Sequence, residues 1–139
     1  MALRYPLAFC CALLCACQGA SDITAEHLMH HHWRLESIDQ QHIVQNKRQP
    51  VDFEIGERLM VNGHTGCNQF FGQGVLRQQQ LQINGLGTTK QACPADRRWI
   101  ENAILSTLRE GSELQLTQQQ LTLKGSRHTL VYQLADWIN

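Results

Sequence analysis

The 139-residue sequence predicts a mainly β domain: a small, curved antiparallel sheet or lipocalin-like barrel of about eight short strands with one α-helix packed on it. Two observations carry this expectation. From Trp33 onward, apolar residues recur with period two in short runs separated by Gly, Asn and Gln, the pattern of strands buried on one face. A single stretch, opened by Cys93-Pro94-Ala95-Asp96, switches to helical spacing. So many short strands in so small a chain are best accommodated by closure, which removes the exposed strand edges that invite aggregation.

In chain order, period two predicts strands over residues 33–38, 42–45, 52–55 and 58–61. Asn62-Gly63 is a strong hairpin-turn signal, and further strands are expected over 67–71, 74–77 and 81–83. The segment from Gly74 to the Gln78-Gln79-Gln80 triplet reads as a hairpin whose boundaries are loosely marked. Pro94 suits the first position of the helix and Asp96 its positively polarised first turn, while Gly111 suits its end. Trp99, Ile100, Ala103, Ile104, Thr107 and Leu108 fall on one helical face, a stripe that reads as core packing rather than a cofactor box. Leu114 and Leu116, then Leu121 and Leu123, alternate with polar neighbours, with Gln118-Gln119-Gln120 as the turn between them. Gly125-Ser126 turns the chain into a last strand over 129–134, where Leu130, Tyr132 and Leu134 share a face. There is no internal repeat and no second-domain linker.

The N-terminus has a separate logic. Arg4 is the only charge before Asp22, and the run from Tyr5 to Cys17 is almost wholly apolar or small, the layout of a secretory signal. It is too short to cross a membrane as a helix, which takes roughly twenty residues. Leu14-Cys15-Ala16-Cys17 resembles a bacterial lipobox, so residues 1–16 are expected to be removed and Cys17 to carry lipid on its thiol and its new amine. Several acyl chains anchor stably where one is marginal. Plain secretion, with cleavage after Ala20, is the alternative. Residues 17–30 then form a lipidated tether with a weak helical tendency from Ile23 to Met29, and 31–139 the folded domain. Gln18, rather than Asp, follows the cysteine, so the expected address is the periplasmic face of the outer membrane.

Arg4, one of twelve basic residues, leaves with the signal, so eleven basic side chains face twelve acidic ones. That balance offers no basic excess for nucleic acid or anionic headgroups. Of six cysteines, Cys10, Cys11 and Cys15 leave with the signal and lipid consumes Cys17. Cys67 and Cys93 remain, and in an oxidising compartment such a pair is expected to form a disulfide. Its rivals are a redox site, which normally shows C-x-x-C spacing, and a zinc site, for which two isolated cysteines are too few.

Gly66-Cys67-Asn68-Gln69-Phe70-Phe71-Gly72 resembles the G-C-N-x-F-x-G signature of the META/HslJ-like domain family. Thr88-Thr89-Lys90-Gln91-Ala92-Cys93 and the helix after it follow in the family's order. Trp33-Arg34-Leu35-Glu36-Ser37 at the start, and Leu121-Thr122-Leu123 with 130–136 at the close, are similar to its terminal strands. The likeness covers nearly all of residues 27–139. It implies a lipocalin-like small barrel with a packed helix, an association with heat stress and novobiocin tolerance, and no known catalytic residues. The heptapeptide itself reads as structural: Gly66 and Gly72 for backbone approach, Cys67 for the bridge, Asn68 for nearby backbone groups, Phe70 for core bulk. The alternative makes Asn68 and its neighbouring loops a ligand contact.

His27 and His30-His31-His32 are the other chemically suggestive feature, since imidazole suits Zn, Cu and Ni. At the junction of tether and first strand nothing in the sequence holds the rings, so a solvated, weakly metal-binding run with no dedicated metal site is the expectation, and a metal-binding or inhibitor-like module the alternative. His42, His64 and His128 read as isolated surface residues. Ser37, Ser106, Ser112 and Ser126 lie in no G-x-S-x-G context, and Asp52, Glu54 and Glu57 read as strand and turn surface rather than an acid–base pair. Gly85-Leu86-Gly87 lacks the setting of a phosphate loop. The chain is therefore expected to be neither an enzyme nor dependent on a cofactor. Its expected partners are the membrane, through lipid, and an unidentified envelope protein or a small apolar ligand.

Overall fold

A computed structural model describes Ala2 and residues 21–136. The signal segment, the lipobox and Cys17 lie outside the described residues. The chain runs α1 (Ala25–Leu28), β1 (His31–Ile38), β2 (Gln41–His42), β3 (Val51–Ile55), a 3-10 turn (Glu57–Leu59), β4 (Met60–Thr65), β5 (Gln69–Arg77) and β6 (Gln80–Thr88). It continues with α2 (Ala95–Glu110), β7 (Ser112–Leu116), β8 (Gln120–Lys124) and β9 (Thr129–Leu134). All strand pairs are antiparallel, and β1 pairs with both β3 and β9, closing an eight-stranded barrel to which β2 adds a short extra strand.

Period-two patterning decides which side chains enter the barrel. In β3, Val51, Phe53 and Ile55 are buried while Asp52 and Glu54 are not. β8 and β9 repeat the scheme with Leu121, Leu123, Leu130 and Tyr132. The Phe53 and Tyr132 rings meet edge to face at 4.6 Å, and burial pushes the Tyr132 phenol far above its ordinary pKa. Trp33, Phe53, Phe70 and Tyr132 are each at most 2% exposed and supply the bulk of the barrel's core.

The barrel is weakest between β6 and β7, which pair only at Gln80–Glu113 and Leu81–Ser112. The helix joins these two strands and packs mainly on β6, burying Ile100, Ala103, Ile104, Thr107 and Leu108. It therefore covers the flank where the ladder is shortest, and Gly111, at φ 94°, ends it with its amide on the Thr107 carbonyl. Trp99, at the edge of the expected stripe, is 37% exposed. Pro94 stands one position earlier than expected, as the cap whose carbonyl accepts from the Arg97 and Arg98 amides.

Several expected boundaries move. Asn62-Gly63 is not a turn but the middle of β4, paired with Glu54 and Phe53. A Cβ on Gly63 would lie 2.2 Å from the Phe70 ring, so this glycine makes room for a core aromatic rather than reversing the chain. The reversal falls at residues 66–68 instead. The expected strands at 67–71 and 74–77 are one continuous β5, bent by a bulge between Phe71 and Gln73. Gln78 and Gln79, both at positive φ, make the tight turn into β6. The expected strand at 58–61 starts only at Met60, after the 3-10 turn, and the one at 42–45 shrinks to Gln41–His42. Residues 23–29, read from sequence as the end of a tether, pack on the barrel: Leu28 is fully buried, with Ile23, Ala25 and Met29 against the core.

Candidate functional site

The turn between β4 and β5 is tied down by hydrogen bonds from its amides and from the Thr65 and Asn68 side chains. Gly66 adopts φ 84°, and a Cβ there would meet Val51 at 3.0 Å and the Arg97 guanidinium at 3.2 Å, so the position excludes a side chain on two grounds. Thr65 Oγ1 accepts from the Asn68 amide at 2.9 Å and donates to Glu101 Oε2 at 2.7 Å. The Asn68 side chain, 2% exposed, accepts at Oδ1 from the Gln91 amide (2.7 Å) and the Thr89 hydroxyl (2.9 Å). Its Nδ2 donates to Glu101 Oε2 at 3.0 Å and lies 3.3 Å from Cys93 Sγ. One amide thus ties the turn to the β6–α2 connection and to the helix.

Cys67 and Cys93 are joined by a disulfide with Cα atoms 5.9 Å apart. Their sulfurs and a Glu101 carboxylate oxygen lie within 4.8 Å of one another. With the bridge closed no thiolate is present, so this group is a structural knot rather than a cation site. Phe70 is buried under Gly63, and Gly72 lets β5 approach β6 where a Cβ would lie 2.4 Å from Ile83. The heptapeptide residues Gly66, Cys67, Asn68, Phe70 and Gly72 therefore act together in the architecture, and Asn68 keeps no group for a ligand. Thr65, Thr89, Gln91 and Glu101 were not singled out from sequence. The available signal was Glu101 itself, a carboxylate one turn before Ile104 at the edge of an apolar helical stripe.

The histidines form a second cluster, at the other end of β3, in which His30 is exposed as expected but His31 is half-buried and His32 leaves solvent altogether. His32 is buried: its Nε2 lies 2.9 Å from Asp52 Oδ2, its Nδ1 3.1 Å from the Ala135 carbonyl, and its amide donates to Asp136 Oδ1 at 2.9 Å. His31 Nδ1 contacts Asp136 Oδ2 at 2.8 Å and His30 Nε2 contacts Glu57 Oε1 at 3.1 Å. Burial pushes the Asp136 carboxyl up, but the His32 amide and the His31 ring outweigh it and hold it below the usual range. His27 does not join the group; its Nδ1 accepts from the Thr24 amide that opens α1. His128, also expected to stand alone, pairs with Asp39 at 2.7 Å, and hydrogen bonds from that ring and the Thr129 amide hold Asp39 low. His64 lies 2.9 Å from the Pro50 carbonyl, while His42 is exposed.

Comparison with known proteins agrees with this architecture. The META domain profile matches residues 26–137. The chain is 35% identical over 126 residues to the heat shock protein HslJ of Escherichia coli K12, covering 90% of this chain and 89% of that one. A protein solved by NMR superposes with a TM-score of 0.76 at 36% identity, over 85% of this chain and all of its own. A second NMR structure, of a Burkholderia xenovorans protein, shares the fold at a TM-score of 0.65 and 20% identity, over 86% of this chain and 97% of that one. The chain belongs to the META domain family.

Proposed function

We propose that this chain is a lipid-anchored outer-membrane lipoprotein that acts without catalysis, binding or stabilising an envelope component during heat and envelope stress. The observation that carries the reading is the 35% identity, over nine tenths of both chains, to a protein named for heat shock. The lipobox ending at Cys17 supports the anchor, and the disulfide between Cys67 and Cys93 suits an oxidising compartment. The sealed turn supports a non-catalytic role, because its carboxylate, amide and hydroxyl are spent on one another. A link to novobiocin tolerance belongs to the same reading, through the family resemblance.

The test is a deletion strain complemented with wild type or with Cys17→Ser. Wild type should restore survival of a heat challenge, take up labelled palmitate and fractionate with the membrane, and the variant should do none of these. Unchanged survival of the deletion strain removes the stress role; a variant that stays membrane-bound, with an unlabelled wild type, removes the anchor.

A second reading, a binder of small apolar ligands, is favoured by an open cleft of about 550 Å³ lined by Ile23, Trp33, Leu116 and Leu134. The guest would sit in this outer cleft, beside the buried core residue Trp33. Calorimetry with novobiocin decides it: no heat at high micromolar ligand removes the reading.

A further inference from the structure

We propose that His30 and His31 bind a divalent transition-metal ion in the open cleft where β1 begins, a site independent of the function proposed above. Neighbouring residues of a regular strand face opposite ways. Here His30 has φ 65°, a left-handed conformation rare outside glycine, and its amide is fixed to the Ile55 carbonyl. The kink brings both rings to one open cleft of about 520 Å³, lined also by His32, Glu54, Ile55 and Asp136. Such an outlier is a reason to look for function.

The rings are oriented as metal-binding imidazoles are. A ligating histidine characteristically donates its other ring N–H to a carboxylate, which fixes the tautomer and leaves a lone pair for the ion. His30 turns Nε2 to Glu57 at 3.1 Å, and His31 turns Nδ1 to Asp136 at 2.8 Å. An ionised carboxylate can only accept, so in each neutral ring the proton sits on that nitrogen. His30 Nδ1 and His31 Nε2 are left as the acceptors, and neither makes a hydrogen bond among the described residues. Asp136 is itself anchored, its second oxygen accepting the His32 amide at 2.9 Å.

Charge and softness agree on the ion. Glu54, Glu57 and Asp136 place carboxylates around the two rings, which favours a cation. Imidazole with carboxylate suits Cu, Zn and Ni, with Cu²⁺ bound most tightly. Among the described residues the two rings belong to no ready-made group of three donors, so binding moves the exposed His30–Glu57 pair together toward His31 and the affinity is modest. Both side chains of that pair are exposed, at 61% and 79%, so the contact that sets the tautomer can travel with the ring.

The experiment titrates the purified, metal-free full chain with Cu²⁺ alone at neutral pH, by calorimetry and electron paramagnetic resonance. One ion per chain is expected, with a nitrogen hyperfine signature that acidification abolishes. Each of His30→Gln and His31→Gln should weaken binding by at least about tenfold, and the positioning variant Asp136→Asn by about tenfold, while His42→Gln leaves it unchanged. Absence of stoichiometric binding overturns the proposal, as does binding that survives the His30→Gln/His31→Gln double variant with its NMR dispersion intact. A second readout needs no variant: nitrogen-15 shifts of the metal-free protein should show His30 protonated at Nε2 and His31 at Nδ1, and the opposite tautomers also overturn it.

Discussion

β3 has a polar cluster at each end, and the two are built on opposite principles. Beside Val51, the 66–68 turn is sealed: Asn68 is buried and the atoms of Asn68, Thr65 and Glu101 satisfy one another across three elements. Beside Ile55, the histidine cleft is open: His30 and His31 each spend one ring nitrogen on a carboxylate. A sealed cluster converts its hydrogen bonds into rigidity, because any lost partner leaves a buried polar group unpaired. An open one leaves groups able to meet something from outside. The family heptapeptide opens in the sealed turn and runs along β5 until Gly72 stands level with Ile55, and its residues serve backbone approach, the bridge and the core, which is why it describes the fold better than it describes an activity.

The contrast can be broken at either end, and the largest effect should come from the disulfide. Cys93→Ser is expected to lower unfolding free energy by about 3–4 kcal/mol, the chain-entropy value for a loop of this length, read from denaturant midpoints with and without reductant. Alkylation before and after reduction should show both thiols blocked until reduced in protein made in the periplasm. Free thiols there would remove the covalent half of the sealed end. Next comes Asn68→Ala, which strips partners from the Gln91 amide and from Glu101 together. A loss of about 2–3 kcal/mol is expected, and a loss below about 1 kcal/mol would mean that water replaces the amide and the turn is not sealed.

The smallest effect belongs to the cleft. Asp136 titrates below its ordinary value in the folded chain, so its contribution is complete above about pH 4 and fades as pH falls through the folded value. The difference in denaturant midpoint between wild type and Asp136→Asn should be flat from neutrality to about pH 5 and close at lower pH. A difference that persists in acid would assign the effect to packing rather than charge. The carboxylate is 42% exposed, and solvent screening keeps the effect small.

Legibility in the sequence followed the range of the physics involved. The helix stripe, the 129–134 strand and the alternation of β3 rest on local periodicity, and all three stand in the structure. Asn62-Gly63 misled because the same dipeptide serves a tight turn or a close approach, and only the Phe70 ring across the sheet decides which. The histidines misled for a related reason. Their holders, Asp136 and Asp52, lie far along the chain and reach the rings only because β1 pairs with β3 on one side and β9 on the other.

By itself the sequence determined the architecture: period two against period 3.6 sorts strands from helix, and burying one face of each calls for a closed β-sheet with one helix beside it. It also led to the expectation that Cys67 pairs with Cys93, the bridge that the structure contains. What only tertiary structure decided is the use of the polar residues. Hydrogen bonds act over about 3 Å and are indifferent to sequence distance. Whether Asn68 is a ligand contact or a buried tie, and whether His30 and His31 are solvated or oriented, therefore depends on which strands the closed barrel sets side by side.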